Sequence, residues 1–135
     1  MRHIVAVLAV VGIAVGACER GPRPAVRIVS PADGDTVTGP SVRVVLEASG
    51  IEIAPAAALR PGTAHHHIFL DTDVTPVNDT IPAGVTGIIH LGRGQTEFTF
   101  DSVPPGPHRL IAVLADPWHI PTKPLAMDTV RITVR

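Results

Sequence analysis

Residues 64–71 read Ala-His-His-His-Ile-Phe-Leu-Asp, so three consecutive histidines run directly into three large apolar side chains. We interpret this run as a β-strand, in which successive side chains point to opposite faces. The first and third histidines then share one face with Phe69, and the second shares the other face with Ile68 and Leu70. In either register, imidazole rings face the interior of the protein or its rim.

The rest of the chain has the pattern of short strands separated by turns rich in glycine and proline, of which there are 12 and 14. The clearest core strand is 108–115, where apolar side chains occupy both faces. Residues 54–59 are compatible with a single helical turn, which Pro61 and Gly62 end. The other predicted strands are 26–29, 36–38, 41–48, 65–70, 88–91, 95–100 and 128–134.

This pattern predicts an all-β fold, an immunoglobulin-like antiparallel β-sandwich of about seven strands. A small closed β-barrel is the alternative. The sequence from Ser30 to Val37, Ser-Pro-Ala-Asp-Gly-Asp-Thr-Val, resembles the opening of many bacterial immunoglobulin-like domains. Aromatic residues make up only 3% of the chain, so we expect a core of mainly valine, isoleucine and leucine.

The N-terminus has the pattern of a bacterial export signal: a short basic start, then an apolar run over residues 4–17. The run ends Val-Gly-Ala before Cys18, the only cysteine in the chain, and this resembles a lipobox. We therefore predict a lipoprotein signal peptide over residues 1–17, a lipidated Cys18 with a tether over residues 18–25, and a single domain over residues 26–135. The alternative is an ordinary signal peptide with an incidental cysteine.

These features indicate an exported, membrane-anchored lipoprotein held by its acyl chains. Glu19 rather than aspartate follows the cysteine, which favours the outer membrane, facing the periplasm. The formal net charge is −1, so the composition gives no indication of nucleic-acid binding. A single cysteine also excludes a disulfide within the chain, so the domain must depend on its core.

Imidazole is a common ligand of zinc and copper, and it binds in the neutral form. Two residues apart on one strand, His65 and His67 point the same way, about 7 Å apart along the backbone. Together with His90 and His119, which stand beside turns, they are the candidate ligands of a copper or zinc ion. Candidate auxiliary residues are Glu97 and Asp116, which could orient a ring, and Met127, which would favour Cu(I).

Four ordered motifs resemble a bacterial family of exported proteins, the domain of unknown function 4399. They are the histidine strand 64–71, His-Leu-Gly-Arg-Gly-Gln-Thr-Glu at 90–97, Pro-Pro-Gly-Pro-His-Arg-Leu at 104–110, and Asp-Pro-Trp-His-Ile-Pro at 116–121. Family members often have a further histidine two positions before the last one, where this chain has Pro117. The resemblance implies a fold but no activity, cofactor or partner.

The rival interpretation is a non-catalytic structural or protein-interaction module of the cell envelope, whose histidines brace loops. His66 and His108 fit that role better than a ligand role. Enzyme signatures are scarce: there is no Gly-x-Ser-x-Gly stretch, no phosphate-binding loop and no redox cysteine pair. A metal-dependent hydrolase would need an open coordination position and a base such as Glu97. A metal site requires three histidine rings to converge within about 3–4 Å.

Overall fold

The computed structural model describes residues 21–135; the predicted signal peptide and Cys18 lie outside the described residues. The described part contains nine strands and a single 3-10 turn, Ala56–Ala58. The strands are β1 (Ala25–Ser30), β2 (Thr36–Val37), β3 (Val42–Ser49), β4 (Glu52–Ile53), β5 (Thr63–Leu70), β6 (Ile88–Leu91), β7 (Glu97–Phe100), β8 (Gly106–Ala115) and β9 (Met127–Val134).

The strands form two sheets. The smaller has the order β1-β3-β7, and the larger has the order β2-β9-β8-β5. At the far edge of β5, β4 pairs with residues 63–64 and β6 with residues 66–69. The pairings are antiparallel except for the short β2–β9 and β4–β5 contacts. The predicted all-β antiparallel sandwich is confirmed, since the arrangement is two facing sheets.

The main core lies between the two sheets and depends on the alternation of side chains along each strand. In β3, Val42, Val44 and Leu46 are buried while Arg43 and Glu47 face solvent. They belong to one cluster with residues of the larger sheet, and removal of this apolar surface from water is the main stabilising contribution. The partners from β5, β8 and β9 include Ile68, Leu110, Ala112, Leu114, Val130 and Ile132.

A second, smaller cluster covers the outer face of the larger sheet. It joins Phe69 of β5 with Ile111 and Val113 of β8, and Ile81 from the 71–87 loop completes it. Because of this cover, β5 and most of β8 are buried on both faces, which explains their nearly continuous apolar sequences. The odd-numbered face of β5, with the first and third histidines, is therefore the outer face beside this cluster.

The strand predictions agree with the structure to within a few residues, but nine strands form where about seven were expected. The additional β4 has only two residues, and its side chains gave no alternating pattern to detect. The predicted helical turn at 54–59 is the 3-10 turn, which ends at Leu59 in a left-handed conformation. Within residues 21–135, no helix is long and apolar enough to cross a membrane.

Candidate metal centre

Four histidines from three elements meet on the outer face of the larger sheet: His65 and His67 of β5, His90 of β6, and His119 of the loop after β8. Each offers one ring nitrogen, and these four nitrogens all lie within 4.8 Å of one another. These are the four residues proposed from the sequence as ligands. The structure brings them together into one group, which we call the histidine cluster.

Strand register places three of the four rings. His67 and His90 are direct partners in the β5–β6 ladder, and side chains of directly opposed residues lie side by side on one face. Their rings are stacked, with centroids 5.1 Å apart. His65 precedes His67 by two residues on the same face, and its ring centroid is 4.8 Å from that of His67. A shift of one residue in this register would send a ring to the opposite face.

Asp116 places the fourth ring by shaping its loop. Its carboxylate accepts hydrogen bonds from the backbone N–H groups of Trp118, at 2.8 Å, and Ile120, at 3.0 Å. Its backbone carbonyl accepts from the N–H of His119 at 2.9 Å, and His119 has a left-handed φ of 66°. The carbonyl of His119 in turn accepts from Ile81 N–H in the outer cluster. Asp116 was expected to orient an imidazole directly, but it acts on the backbone of the loop.

The spacing of the donor atoms approaches that of a metal site. The Nε2 atoms of His90 and His119 are 3.2 Å apart, close to the edge of about 3.3 Å between ligands of a tetrahedral metal with bonds of about 2.0–2.1 Å. The widest pair in the cluster, at up to 4.8 Å, exceeds the 3–4 Å expected from the sequence. Closure around a tetrahedral ion would therefore need movements of about an ångström.

The inner half of the cluster is buried, and two of its ring nitrogens lack a protein partner among the described residues. His65 and His67 are each 1% exposed, and within residues 21–135 the buried atoms His65 Nε2 and His67 Nδ1 have no hydrogen-bond partner. Buried polar atoms are nearly always paired, and an orphaned one costs about 1–3 kcal/mol. A cation that accepts a nitrogen lone pair at this position would compensate that cost. The residues present therefore fit a bound transition metal.

The electrostatics of the cluster favour neutral rings. Burial, reinforced by the neighbouring histidines, lowers the pKa of His67 to about 2 and that of His65 to about 4. Burial and then the proximity of His119 also lower the pKa of His90. Neutral imidazole is the form that binds metals, so the buried pair needs no deprotonation at neutral pH.

Gly92 accommodates the ring of His90. A Cβ at this position would lie 2.2 Å from Cε1 and 2.3 Å from Nε2 of that ring, far inside contact distance. Glycine is therefore required here for the observed position of the imidazole, a role that the sequence argument missed. The one available signal was the Gly-x-Gly turn at positions 92–94, which begins two residues after His90.

The other two described histidines brace the fold. His66 lies on the inner face, where its Nδ1 donates to the carbonyl of Gln95 at 3.2 Å, and burial lowers its pKa. His108 contacts the Asp71 carboxylate through Nδ1 at 2.6 Å and the Pro104 carbonyl through Nε2 at 2.8 Å. Burial acts to lower the pKa of His108, but these two acceptors and the charge of Asp71 raise it overall. His108 therefore has the bracing role expected for it, whereas His66 is held through Nδ1 alone, since its buried Nε2 has no hydrogen-bond partner among the described residues.

The two remaining auxiliary candidates are not hydrogen-bonded to the cluster. Glu97 pairs with Arg43 on the smaller sheet, so it does not orient a histidine. Met127 begins β9 opposite Val113, which in turn lies opposite His67. Met127 is thus level with His67 across the sheet, but β8 lies between them. The residue is 42% exposed.

Sequence comparison assigns this chain to a known family. The profile of a domain of unknown function, DUF4399, matches residues 44–135, more than half of the chain and including all four cluster histidines. The chain belongs to this family. Among curated proteins, none matches this DUF4399 chain by sequence.

Solved structures resemble the DUF4399 chain in fold. An engineered protein with a crystal structure superposes with a TM-score of 0.52 at 12% identity, over 86% of this chain and 21% of its own. Fibronectin(III)-like modules of Clostridium thermocellum CbhA give 0.48 at 16% identity, over 84% of this chain and 47% of theirs. An endo-β-1,4-mannanase from Thermotoga petrophila gives 0.47 at 16% identity, over 87% and 21%. The chain spans about a fifth of the length of the engineered protein, and this likeness concerns the fold alone.

Proposed function

We propose that this protein binds a transition-metal cation, copper or zinc, through His65, His67, His90 and His119. The observation that carries the proposal is the pair of buried ring nitrogens without hydrogen-bond partners within a group of four convergent histidines. Nitrogen ligands of this type suit both metals. Rings kept neutral by burial favour binding at neutral pH.

The bracing alternative is less consistent with the histidine cluster than with His108. A bracing histidine has its ring nitrogens paired with carbonyls or carboxylates, as His108 has with Asp71 and Pro104. His65 and His67 form no such pairs with the described residues. Both ring nitrogens of His108 are thus paired, whereas His65, His67 and also His66 each keep one buried nitrogen without a partner among the described residues. His66 differs from the cluster in its position, because it lies on the inner face and outside the group of convergent rings.

We further propose a binding role rather than catalysis. The cluster contains no carboxylate from the described residues, and the carboxylates suggested by the sequence, Glu97 and Asp116, are engaged with Arg43 and with backbone amides. A hydrolytic metal site would require a base near the metal-bound water.

Location and anchoring are proposed from the sequence. The apolar run before Cys18 supports a lipid anchor, and Glu19 supports the periplasmic face of the outer membrane. On this view the domain handles a metal ion at the cell envelope.

Calorimetric titration of the tag-free full-length protein with Cu(II) and with Zn(II) tests the metal site. We expect one ion per chain. His90→Ala removes an exposed ligand with little effect on folding and should weaken affinity about 100-fold or more, since four ligands share roughly 10–16 kcal/mol in structural zinc sites. His108→Gln is the matched control and should not change affinity. Binding that is absent, or equal in His90→Ala and His108→Gln, would instead support the bracing module.

A further inference from the structure

A pocket of about 450 Å³ opens beside the exposed half of the histidine cluster. His90 and His119 form part of its wall, whereas His65 and His67 are buried behind them. The pocket size falls in the range of about 300–1,000 Å³ typical of small-molecule sites. Small solutes therefore reach the cluster from this side, next to the exposed ring of His90 and the half-buried ring of His119.

The four histidines would leave the positive charge of a bound metal ion uncompensated. All four donors are imidazoles, which are neutral when they bind a metal, and no carboxylate or thiolate of the described residues belongs to the group. A divalent cation in this set would keep its full charge beside a buried sheet face, and an uncompensated charge in such surroundings is costly. An anion that enters through the pocket would offset this charge.

The pocket wall carries groups that recognise an anion. Arg93 lines the pocket and is absent from the ion pairs formed among residues 21–135. Guanidinium groups bind carboxylates through two parallel hydrogen bonds. Gln95, also in the wall, accepts the backbone N–H of Arg93 at 2.7 Å through Oε1, which holds this turn and leaves the amide NH2 as a donor.

The remaining wall is apolar. Ala57, Leu59 and Pro117 line it, and Leu59 is 56% exposed, so a short hydrocarbon group in the pocket would cover surface that otherwise faces water. Binding of this kind contributes about 25 cal/mol per Å² of apolar surface removed from water. The wall therefore favours an organic anion over a bare inorganic one.

We propose that this pocket binds a small monocarboxylate, whose carboxylate is a fifth ligand of the metal held by the four histidines and pairs with Arg93, and whose short apolar group lies against Leu59 and Pro117. The inference rests on the proposed metal-binding function. It assigns the ligand class of the open side of that site.

The test uses the full-length protein loaded with Cu(II), whose visible and electron paramagnetic resonance spectra report its ligands. Isobutyrate is titrated as the probe, and isobutyramide, which has the same shape without charge, is the control ligand. We expect isobutyrate to shift the spectra and to bind at least about tenfold more tightly than isobutyramide, as charge-assisted hydrogen bonds imply.

Arg93→Gln should weaken isobutyrate binding by about tenfold while changing Cu(II) affinity much less. Arg131→Gln is the matched control: it removes the same charge from an exposed arginine that lines a different pocket, and it should change neither affinity.

Four results would overturn the proposal. If Cu(II) binds but isobutyrate leaves the spectra unchanged, or if Arg93→Gln and Arg131→Gln behave alike, the carboxylate pocket is wrong and the metal site stands. Equal binding of isobutyrate and isobutyramide would reduce the pocket to an apolar one. If neither Cu(II) nor Zn(II) binds in calorimetry, the proposed function and this inference both fail; if only Zn(II) binds, the zinc-loaded protein is titrated with the same two probes by calorimetry, and equal affinities overturn this inference.

Discussion

Acidification should destabilise the metal-free protein through His65 and His67. Burial lowers their pKa values to about 4 and about 2, respectively, whereas an unfolded chain gives histidine a pKa of about 6.5. Below about pH 6.5 the unfolded chain therefore takes up protons that the folded chain excludes. This contribution to stability is fully present above about pH 6.5 and declines as the pH falls towards the folded values.

The size of this pH effect follows from the difference between the unfolded and folded pKa values of the two histidines. Each histidine changes the free energy of unfolding by about 1.4 kcal/mol per pH unit while only the unfolded form is protonated. Between about pH 6.5 and pH 5, this amounts to about 2 kcal/mol for each, or about 4 kcal/mol for the pair. A domain of this kind has a total stability of only about 5–15 kcal/mol, so the effect is large.

Urea unfolding followed by far-ultraviolet circular dichroism, in the presence of a chelator, measures the effect at about pH 7.5 and about pH 5. The comparison protein is the double variant His65→Leu and His67→Leu, because all carboxylates and the other histidines are common to both proteins and cancel. The wild-type protein should lose about 4 kcal/mol more than the variant. At the higher pH the variant should be close to wild type, since it replaces unpaired buried nitrogens with apolar groups.

The reasoning would be refuted if the wild-type protein and the double variant lost the same free energy of unfolding, to within about 1 kcal/mol, between the two pH values. Both rings would then protonate in the folded state near their ordinary pKa. Should the double variant not fold, His67→Leu alone gives the same test with an expected difference of about 2 kcal/mol.

Three further predictions concern single sites. Gly92→Ala should weaken Cu(II) affinity by about tenfold in calorimetry, because the added Cβ would lie 2.2 Å from the His90 ring. Gly21→Ala is the control, since open space surrounds that position. Equal Cu(II) affinities of the two variants would contradict the role of Gly92. His108→Gln should lower the free energy of urea unfolding more at low pH than at high pH. The raised pKa of His108 stabilises the fold below about pH 6.5, and this contribution is lost as the pH rises through the folded value. The reverse trend would contradict the bracing role of His108. Leu114→Ala should lower the free energy of unfolding by about 2–5 kcal/mol because the side chain is fully buried, and a loss below about 1 kcal/mol would show that the two sheets do not enclose it.

Much of the fold could be predicted because strand alternation is local. The period of two placed His66 with Ile68 and set His65 and His67 on the other face, as the structure has them. Turn residues located the strand ends for the same reason. The alternation could not detect β4, since two residues carry no period.

The position of the site depends on contacts between distant parts of the chain. His67 faces His90 because β5 and β6 pair in one register, and a strand's own sequence does not specify its partner's register. The left-handed conformation of His119 depends on the turn that Asp116 holds. Likewise, Glu97 was a reasonable candidate until β7 paired with β3 and placed it beside Arg43.

The sequence by itself therefore determined the strands other than β4, the faces of their side chains and the four histidines suited to a metal, because these follow from residue type and spacing over a few positions. Only the tertiary structure decided that the four rings converge, that two of them are buried without partners and that a pocket opens beside the other two. Convergence and burial depend on strand register, loop conformation and the packing of the outer cluster. Strand register, loop conformation and packing all depend on contacts between residues far apart in the chain, and a local sequence pattern does not specify such contacts.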